Sequence, residues 1–518
     1  MPRSSDELTE LAATVLQPGF TGTTAPDWVR RMLADGLGGV ALFARNVESP
    51  AQVAALTAQL RAERPEVIVA IDEEAGDVTR FESRQGSSRP GNLALGAIDD
   101  PALTEAVARD LGRDLAHAGI TFDYAPDVDV NSNPRNPIIG VRAFGADPTL
   151  VARHSAAFVT GLQSAGVAAC AKHFPGHGDT AVDSHHAVPL IDRGRAELES
   201  VELVPFRAAV AAGVQAVMTG HLLVPAYDAE LPATLSARIL TGLLREELGY
   251  DGLIVTDGIE MQGVARAYGL AGATVRAIAA GADAICVGGD HADEGDAIAL
   301  RDAIVAAVRS GELPEARLRD AAARVRRLAA WTTETQTRTG ARAVADALSI
   351  GAVAASVVGL DAARRAVRVT GAENMLPLNR AAHVVEFAPP RNIAIGAETP
   401  WGLGAPLHDL LPGTTSVRLS EDDLGGLAEP EGRVLAGLAD RPLVLVVRDL
   451  HRHPWVATAV ARTLAVCPSA VVVEMGLPEQ VTGAVHLATY GATRACGQAA
   501  AEIIAGTSIP ATPQPVAA

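Results

Sequence analysis

The sequence predicts an α/β protein: a (β/α)8 barrel followed by a smaller α/β domain. Three observations predict it. Short apolar runs alternate with longer amphipathic stretches up to about residue 330, eight such runs can be read, and polar residues gather where the runs stop. Continuous apolar runs separated by helices mark parallel strands buried on both faces. Eight strand–helix units fit a closed barrel, whose strand ends meet at one catalytic face. An open, doubly wound sheet is the structural competitor.

In chain order the runs are "ATVLQPG", "GGVALFARN", "EVIVAIDEE", "GITFDYAPDVDV", "GVAACAKHF", "VQAVMTGH", "GLIVTDG" and "DAICVGG". Between them, "SPAQVAALTAQLRAE" and "PTLVARHSAAFVTGLQSA" repeat apolar residues at three and four positions, the spacing of a helix with one buried face. The polar strand ends are Arg45 and Asn46, Asp72 and Glu73, Lys172 and His173, Thr219 and His221, and Asp257. The first domain is expected over residues 1–330. The polar, Thr-rich stretch 331–346 reads as a linker or an extended connection, and residues 347–518 as the second domain. There "AAHVVEFA", "RNIAIGA", "RPLVLVVRDL" and "SAVVVEMGLP" are strand-like, and "RACGQAAAEIIAG" is a docked helix. This half lacks dense polar clusters and reads as structural or dimerising.

Composition bounds the function. The 518 residues are 48% hydrophobic, enough for large cores, and only 3% aromatic, which leaves few rings for stacking on nucleic acid. The net charge of −18 argues against nucleic acid or an anionic membrane as a partner. No run reaches the roughly 18 apolar residues of a membrane span, and the N-terminus shows no apolar signal core. The four cysteines form no CxxC pair and suit a reducing compartment. A soluble, cytoplasmic protein is expected.

The stretch "AKHFPGHGDTAVDSHHAVPL" (171–190) carries four histidines. Three chemistries compete for it. His173 and His177 have the spacing of a helical metal pair, but Pro175, Gly176 and Gly178 oppose a regular helix. A phosphate loop would need the fuller GxxxxGK[ST] pattern. An acid/base unit needs a carboxylate beside an imidazole. Asp183 and His185 are two apart and, in an extended chain, share a side. The carboxylate would then fix the ring's tautomer and raise its basicity.

The long motifs "KHFPGHGDTAVDSHH", "YAPDVDVNSNPRNPIIGVRAFG", "LPATLSARILTGLLREELGYDG" and "LIVTDG" occur in that order. Together they resemble glycoside hydrolase family 3, in the branch of bacterial β-N-acetylglucosaminidases. The likeness covers most of the first domain, and the second resembles the family's C-terminal α/β sandwich only loosely. The resemblance implies a retaining glycosidase. It makes Asp257 the nucleophile, where a helix N-cap would be the purely structural alternative. It makes His185 the acid/base, supported by Asp183. It makes Asp72, Arg80, Arg142, Lys172 and His173 sugar-binding residues, with His221 behind them. It calls for no metal and no cofactor, and for a small carbohydrate substrate from cell-wall fragments or chitooligosaccharides. A histidine acid/base repels anions less than a carboxylate, so phosphate competes with water as acceptor and phosphorolysis is an alternative outcome. A β-glucosidase using Glu474, a metal-dependent barrel hydrolase and a non-catalytic sugar binder are the other readings.

One departure from the family pattern stands out. Where "D-x-E-G-G-R-V-x-R" is usual, Ala75 replaces a glycine and Asp77 an arginine. The charge reversal at Asp77 is expected to alter the outer rim or the leaving-group subsite.

Overall fold

Each of the eight apolar runs becomes a short strand: β1 Leu16–Pro18, β2 Gly39–Leu42, β3 Ile68–Ile71, β4 Phe122–Asp123, β5 Cys170–Phe174, β6 Ala216–Thr219, β7 Leu253–Thr256 and β8 Ile285–Val287. The computed structural model describes residues 5–180, 188–289, 291–347, 355–371, 375–390, 392, 394–396, 399–424 and 427–507. The chain forms two compact units. The first comprises Met1–Glu74, Pro101–Ile139 and Gly145–Ala354; the second comprises Ala75–Asp100, Gly140–Phe144 and Ala355–Ala518.

In the first unit every strand pairing is parallel. β2, β3 and β4 form one ladder, β5, β6 and β7 another, and β1 pairs with β8. Single bridges, Phe122 to Ala168 and Val255 to Ala284, link β4 to β5 and β7 to β8. β1 and β2 are neighbours, with no ladder between them among the described residues. One buried cluster takes alternate residues from these strands and their edges: Ala41, Ile68 and Ala70, Phe122 and Tyr124, Ala168 and Cys170, Ala216 and Met218, Leu253 and Val255, and Ala284 and Cys286. Alternation with period two means one face of each strand points to a common interior.

Helices fall where the periodicity places them. Ser49 caps the helix Pro50–Glu63, its Oγ accepting the Gln52 N–H at 3.2 Å. Asp147 caps Pro148–Ser164, accepting the N–H groups of Thr149 and Leu150. A side-chain acceptor there satisfies N–H groups that the helix leaves open.

The stretch 331–346 is helical, not an extended connection. It continues the helix Glu315–Thr339 and then forms Ala341–Asp346. Its threonines do not break the helix because their hydroxyls bond back to earlier carbonyls, as from Thr337 to Thr333 at 2.7 Å. Gln336 donates to the Ile120 carbonyl at 2.8 Å, and Trp331 packs against the common interior. Among the described residues no helix is long and apolar enough to cross a membrane.

The second unit is built on a six-stranded sheet with β9 Arg368–Gly371, β10 His383–Phe387, β11 Thr415–Leu419, β12 Leu443–Val447, β13 Val471–Glu474 and β14 Val485–Ala488. The strand order is β11-β10-β12-β13-β14-β9, all parallel except the edge strand β9. Both faces are covered: Val384, Val444, Val446 and Val473 enter one core, and Val385, Leu445, Val447 and Val472 the other. Of "RNIAIGA", the described residues 392 and 394–396 are turn rather than strand, because Asn392 Oδ1 accepts the Ala394 N–H at 2.9 Å and closes a local turn.

Candidate active site

The first unit gathers charge at the carboxyl ends of its strands. Asp72 follows β3, and Lys172 lies within β5. The Lys172 ammonium is 2.5 Å from Asp72 Oδ1 and 2.7 Å from Glu74 Oε1. The Lys172 and Glu74 side chains are 2% and 3% exposed, and Asp72 is 22% exposed. The cation is therefore held by two carboxylates, and Asp72 retains access to solvent. Asp123, at the end of β4, accepts the Glu73 N–H at 2.9 Å, and burial pushes its carboxyl well up from the ordinary range. Removing a carboxylate from water penalises its charged form.

His173, next along β5, is buried. Its Nδ1 lies 2.8 Å from Asp129 Oδ2. The other Asp129 oxygen accepts the backbone N–H groups of His173 and His177, at 3.2 and 2.7 Å. With Nδ1–H donated to the carboxylate, a neutral ring presents Nε2 as an acceptor. Asp127, Asp129 and His173 have ligand atoms within 4.8 Å of one another, close enough to suit a metal. The Asp129 carboxylate accepts those three N–H groups, and Asp127 Oδ1 accepts the Asp129 N–H at 3.0 Å. His173 and His177, weighed in the sequence as a metal pair, turn to different partners: His177 Nδ1 meets Thr180 Oγ1 at 2.8 Å, and the two rings pack edge to face.

The glycines of "GHG" serve packing. A Cβ on Gly178 would overlap the Val130 carbonyl, and Gly176 has a φ of +129° against Glu202. Asn136 holds this turn: its Nδ2 donates to the carbonyls of His177 and Gly178, at 2.8 and 3.0 Å, and its Oδ1 accepts two further N–H groups. Glu202 is buried beside it, and burial pushes its carboxyl up to about 8, with Asp129 adding to the shift. Asp183 and His185 lie outside the described residues.

Asp257 follows β7 and is half-buried. Its N–H donates to the Thr219 carbonyl at 3.1 Å, and its Oδ1 accepts the Gly258 N–H at 2.8 Å. It does not cap the next helix, which begins at Gln262 with Met261 in the cap position. His221 is fully buried. Its Nε2 donates to the Gly258 carbonyl at 2.9 Å, and its Nδ1 meets the Thr234 hydroxyl at 2.8 Å. It thus fixes the backbone immediately after Asp257. Glu260 lies nearby, its carboxyl raised by burial and by the Asp257 charge.

Arg80 and Arg142 belong to the second unit. Arg80 donates to the Ala394 carbonyl at 2.7 Å. Arg142 is buried at the end of the short turn Gly140–Arg142, its carbonyl held by Asn92 Nδ2 at 2.7 Å. Asp77 is buried, not exposed at a rim. It pairs with Arg448 and accepts the Ala492 N–H at 2.8 Å. Glu474 is only 2% exposed and accepts three backbone N–H groups, from Asp449, Leu450 and Gly476. Burial pushes it up to about 8, but its oxygens are spent on structure.

Sequence reading missed Glu74, Asp123, Asp129, Asn136 and Glu202. The signal for the first three was present, since each closes or follows an apolar run. Asn136 and Glu202 lie in loops and helix joints, where composition carries no such mark.

The model of the glycosyl hydrolase family 3 N-terminal domain matches residues 9–328. The chain belongs to glycosyl hydrolase family 3. It is 40% identical over 284 residues to a beta-hexosaminidase of Thiobacillus denitrificans, covering 53% of this chain and 78% of that one. It is 38% identical over 283 residues to beta-hexosaminidase A of Pseudoalteromonas piscicida, 50% of this chain but only 47% of the relative's length. A family 3 beta-N-acetylglucosaminidase structure from a Paenibacillus species matches with a TM-score of 0.83 at 32% identity, covering 97% of both chains.

Proposed function

We propose that this family 3 member is a retaining exo-β-N-acetylglucosaminidase that releases terminal β-linked N-acetylglucosamine. The observation that carries the reading is Asp257. It stands half-exposed just after β7, at the carboxyl end where Asp72 follows β3, and Met261 takes the cap position of the next helix. The eight parallel strands, their pairings and their common interior support a closed (β/α)8 barrel, in which such strand ends line the catalytic mouth.

In the proposed mechanism Asp257 attacks the anomeric carbon as His185 protonates the departing glycosidic oxygen. A covalent glycosyl-enzyme forms and the aglycone leaves as an alcohol. His185, now neutral, takes a proton from water, which displaces Asp257 and returns the sugar with its configuration retained. Asp183 orients the ring and stabilises its cation. Asp72 accepts hydrogen bonds from sugar hydroxyls, and Arg80, Arg142, Lys172 and His173 bind hydroxyls and the acetamido group. Lys172 is held by two carboxylates before substrate arrives, so its donors are pre-organised. No metal or cofactor enters a step. Natural substrates of this reading are cell-wall fragments or chitooligosaccharides, met in the cytoplasm.

The test is product stereochemistry. Proton NMR of early hydrolysis of a β-N-acetylglucosaminide should show the β-anomer first. Early α-anomer would overturn the retaining assignment.

A further inference from the structure

Open α/β sheets bind ligands in the crevice beyond the carboxyl ends of their strands, where the strand order reverses. In the second unit β11 and β12 flank β10, so the order reverses between β10 and β12. Arg448 is the first residue after β12, and Ala394 lies on the loop after β10. Both reach the four-residue stretch 77–80. Arg448 pairs with Asp77 Oδ2, and the Ala394 carbonyl accepts from Arg80 at 2.7 Å. The remaining Asp77 oxygen takes the Ala492 N–H, on the loop after β14, at 2.8 Å. Asp77 is 7% exposed and Arg448 8%. The place where such a sheet would hold a ligand is filled by the chain's own segment.

We propose that Asp77 and Arg448 are positioning residues for Arg80, so that the sheet carrying Arg448 sets how firmly the Arg80 segment is held. The inference rests on the reading of Arg80 as a sugar-binding residue. It also gives the departure from the family pattern a purpose. An arginine at position 77 would face Arg448, and the aspartate makes the contact attractive. A buried pair with both carboxylate oxygens used has one geometry. It fixes the backbone three residues before Arg80. Loss of the pair frees Arg80 to sample other rotamers, which costs binding energy in the bound state and touches no reacting atom.

The test uses the full chain and p-nitrophenyl β-N-acetylglucosaminide. The variants are Asp77→Asn, Arg448→Met, the double variant Asp77→Asn/Arg448→Met, and Arg80→Ala alone and in each background. Asn keeps the shape and one acceptor, and the double variant leaves no buried unpaired charge, which guards against misfolding. The expected result is KM raised about tenfold with kcat within about twofold in the clamp variants. Arg80→Ala should add less than about twofold on top of them. Hydrogen exchange at residues 77–82 should quicken, and this reading is independent of activity. Unchanged KM in the clamp variants while Arg80→Ala raises it, or effects that multiply, overturns the proposal. If Arg80→Ala alone leaves KM unchanged, the sugar-binding reading of Arg80 falls, and the inference falls with it. The exchange result then shows separately whether the pair orders the segment.

Discussion

Lys172→Met isolates the electrostatics of the strand-end cluster. The substitution keeps the length and most of the volume of the stem but removes the ammonium. Glu74 then loses the ammonium that lay 2.7 Å away, and Asp72 loses the same partner at 2.5 Å. Breaking a buried pair from one side costs about 3–5 kcal/mol, since the remaining charge stays desolvated. At about 2 °C per kcal/mol for a unit of this size, the melting temperature should fall by about 6–10 °C. The cause is separable from lost packing. Adding Glu74→Gln to Lys172→Met removes the buried negative charge that faced Lys172 and should recover at least about 1 kcal/mol, whereas Glu74→Gln alone should destabilise. Differential scanning calorimetry of the four proteins of the cycle reads both numbers. A drop below about 1 °C in Lys172→Met, or a double variant less stable than Lys172→Met, would refute the reasoning. Binding of N-acetylglucosamine should weaken in every Lys172→Met background.

Other consequences follow from buried groups. Glu202, raised to about 8, stays protonated in the folded state where the unfolded chain has already lost its proton. The Glu202 contribution to stability should therefore be lost as pH rises from about 4.5 to 8, and Glu202→Gln should remove that part of the slope in urea titrations at several pH values; an unchanged slope would contradict the assignment. Glu474→Gln disrupts an acceptor of three N–H groups and should cost about 1–3 kcal/mol. It should leave the pH profile of kcat/KM in place, whereas a lost limb would restore Glu474 as an acid/base. Asn136→Ala removes the tie on the 177–180 turn and should cost about 1–3 kcal/mol with at least a tenfold fall in kcat/KM, measured by thermal melts and steady-state rates; wild-type values would show that the turn holds itself.

The eight strands were legible because strands buried on both faces are largely apolar, although the loop run "RNIAIGA" in the second unit imitated one. Lys172, Asp72 and Asp257 were legible for the complementary reason: polar residues within or just after such strands interrupt an otherwise apolar run. Edge strands were not legible. β11, "TSVRL", exposes most of its residues, and β9 lies at the opposite edge, so neither needs an apolar run. The helix through 331–339 was hidden by threonines, which favour extended chain except where their hydroxyls bond back along a helix. The burial of Asp77, expected to alter the outer rim or the leaving-group subsite, was not legible because its partner is 371 residues away, and nothing local in the sequence announces an arginine just after β12. The same distance explains why residues 75–100 belong to the second unit, against a boundary drawn at 330.

The most direct test of the central claim is p-nitrophenol release from the β-N-acetylglucosaminide and the β-glucoside. Wild type, Asp257→Ala and His185→Ala should be compared side by side, with and without phosphate. The account predicts strong preference for the N-acetyl substrate, loss of at least about a thousandfold in kcat for Asp257→Ala, and a smaller loss for His185→Ala with this good leaving group. Hydrolysis of neither substrate by wild type, or full activity in Asp257→Ala, would contradict it.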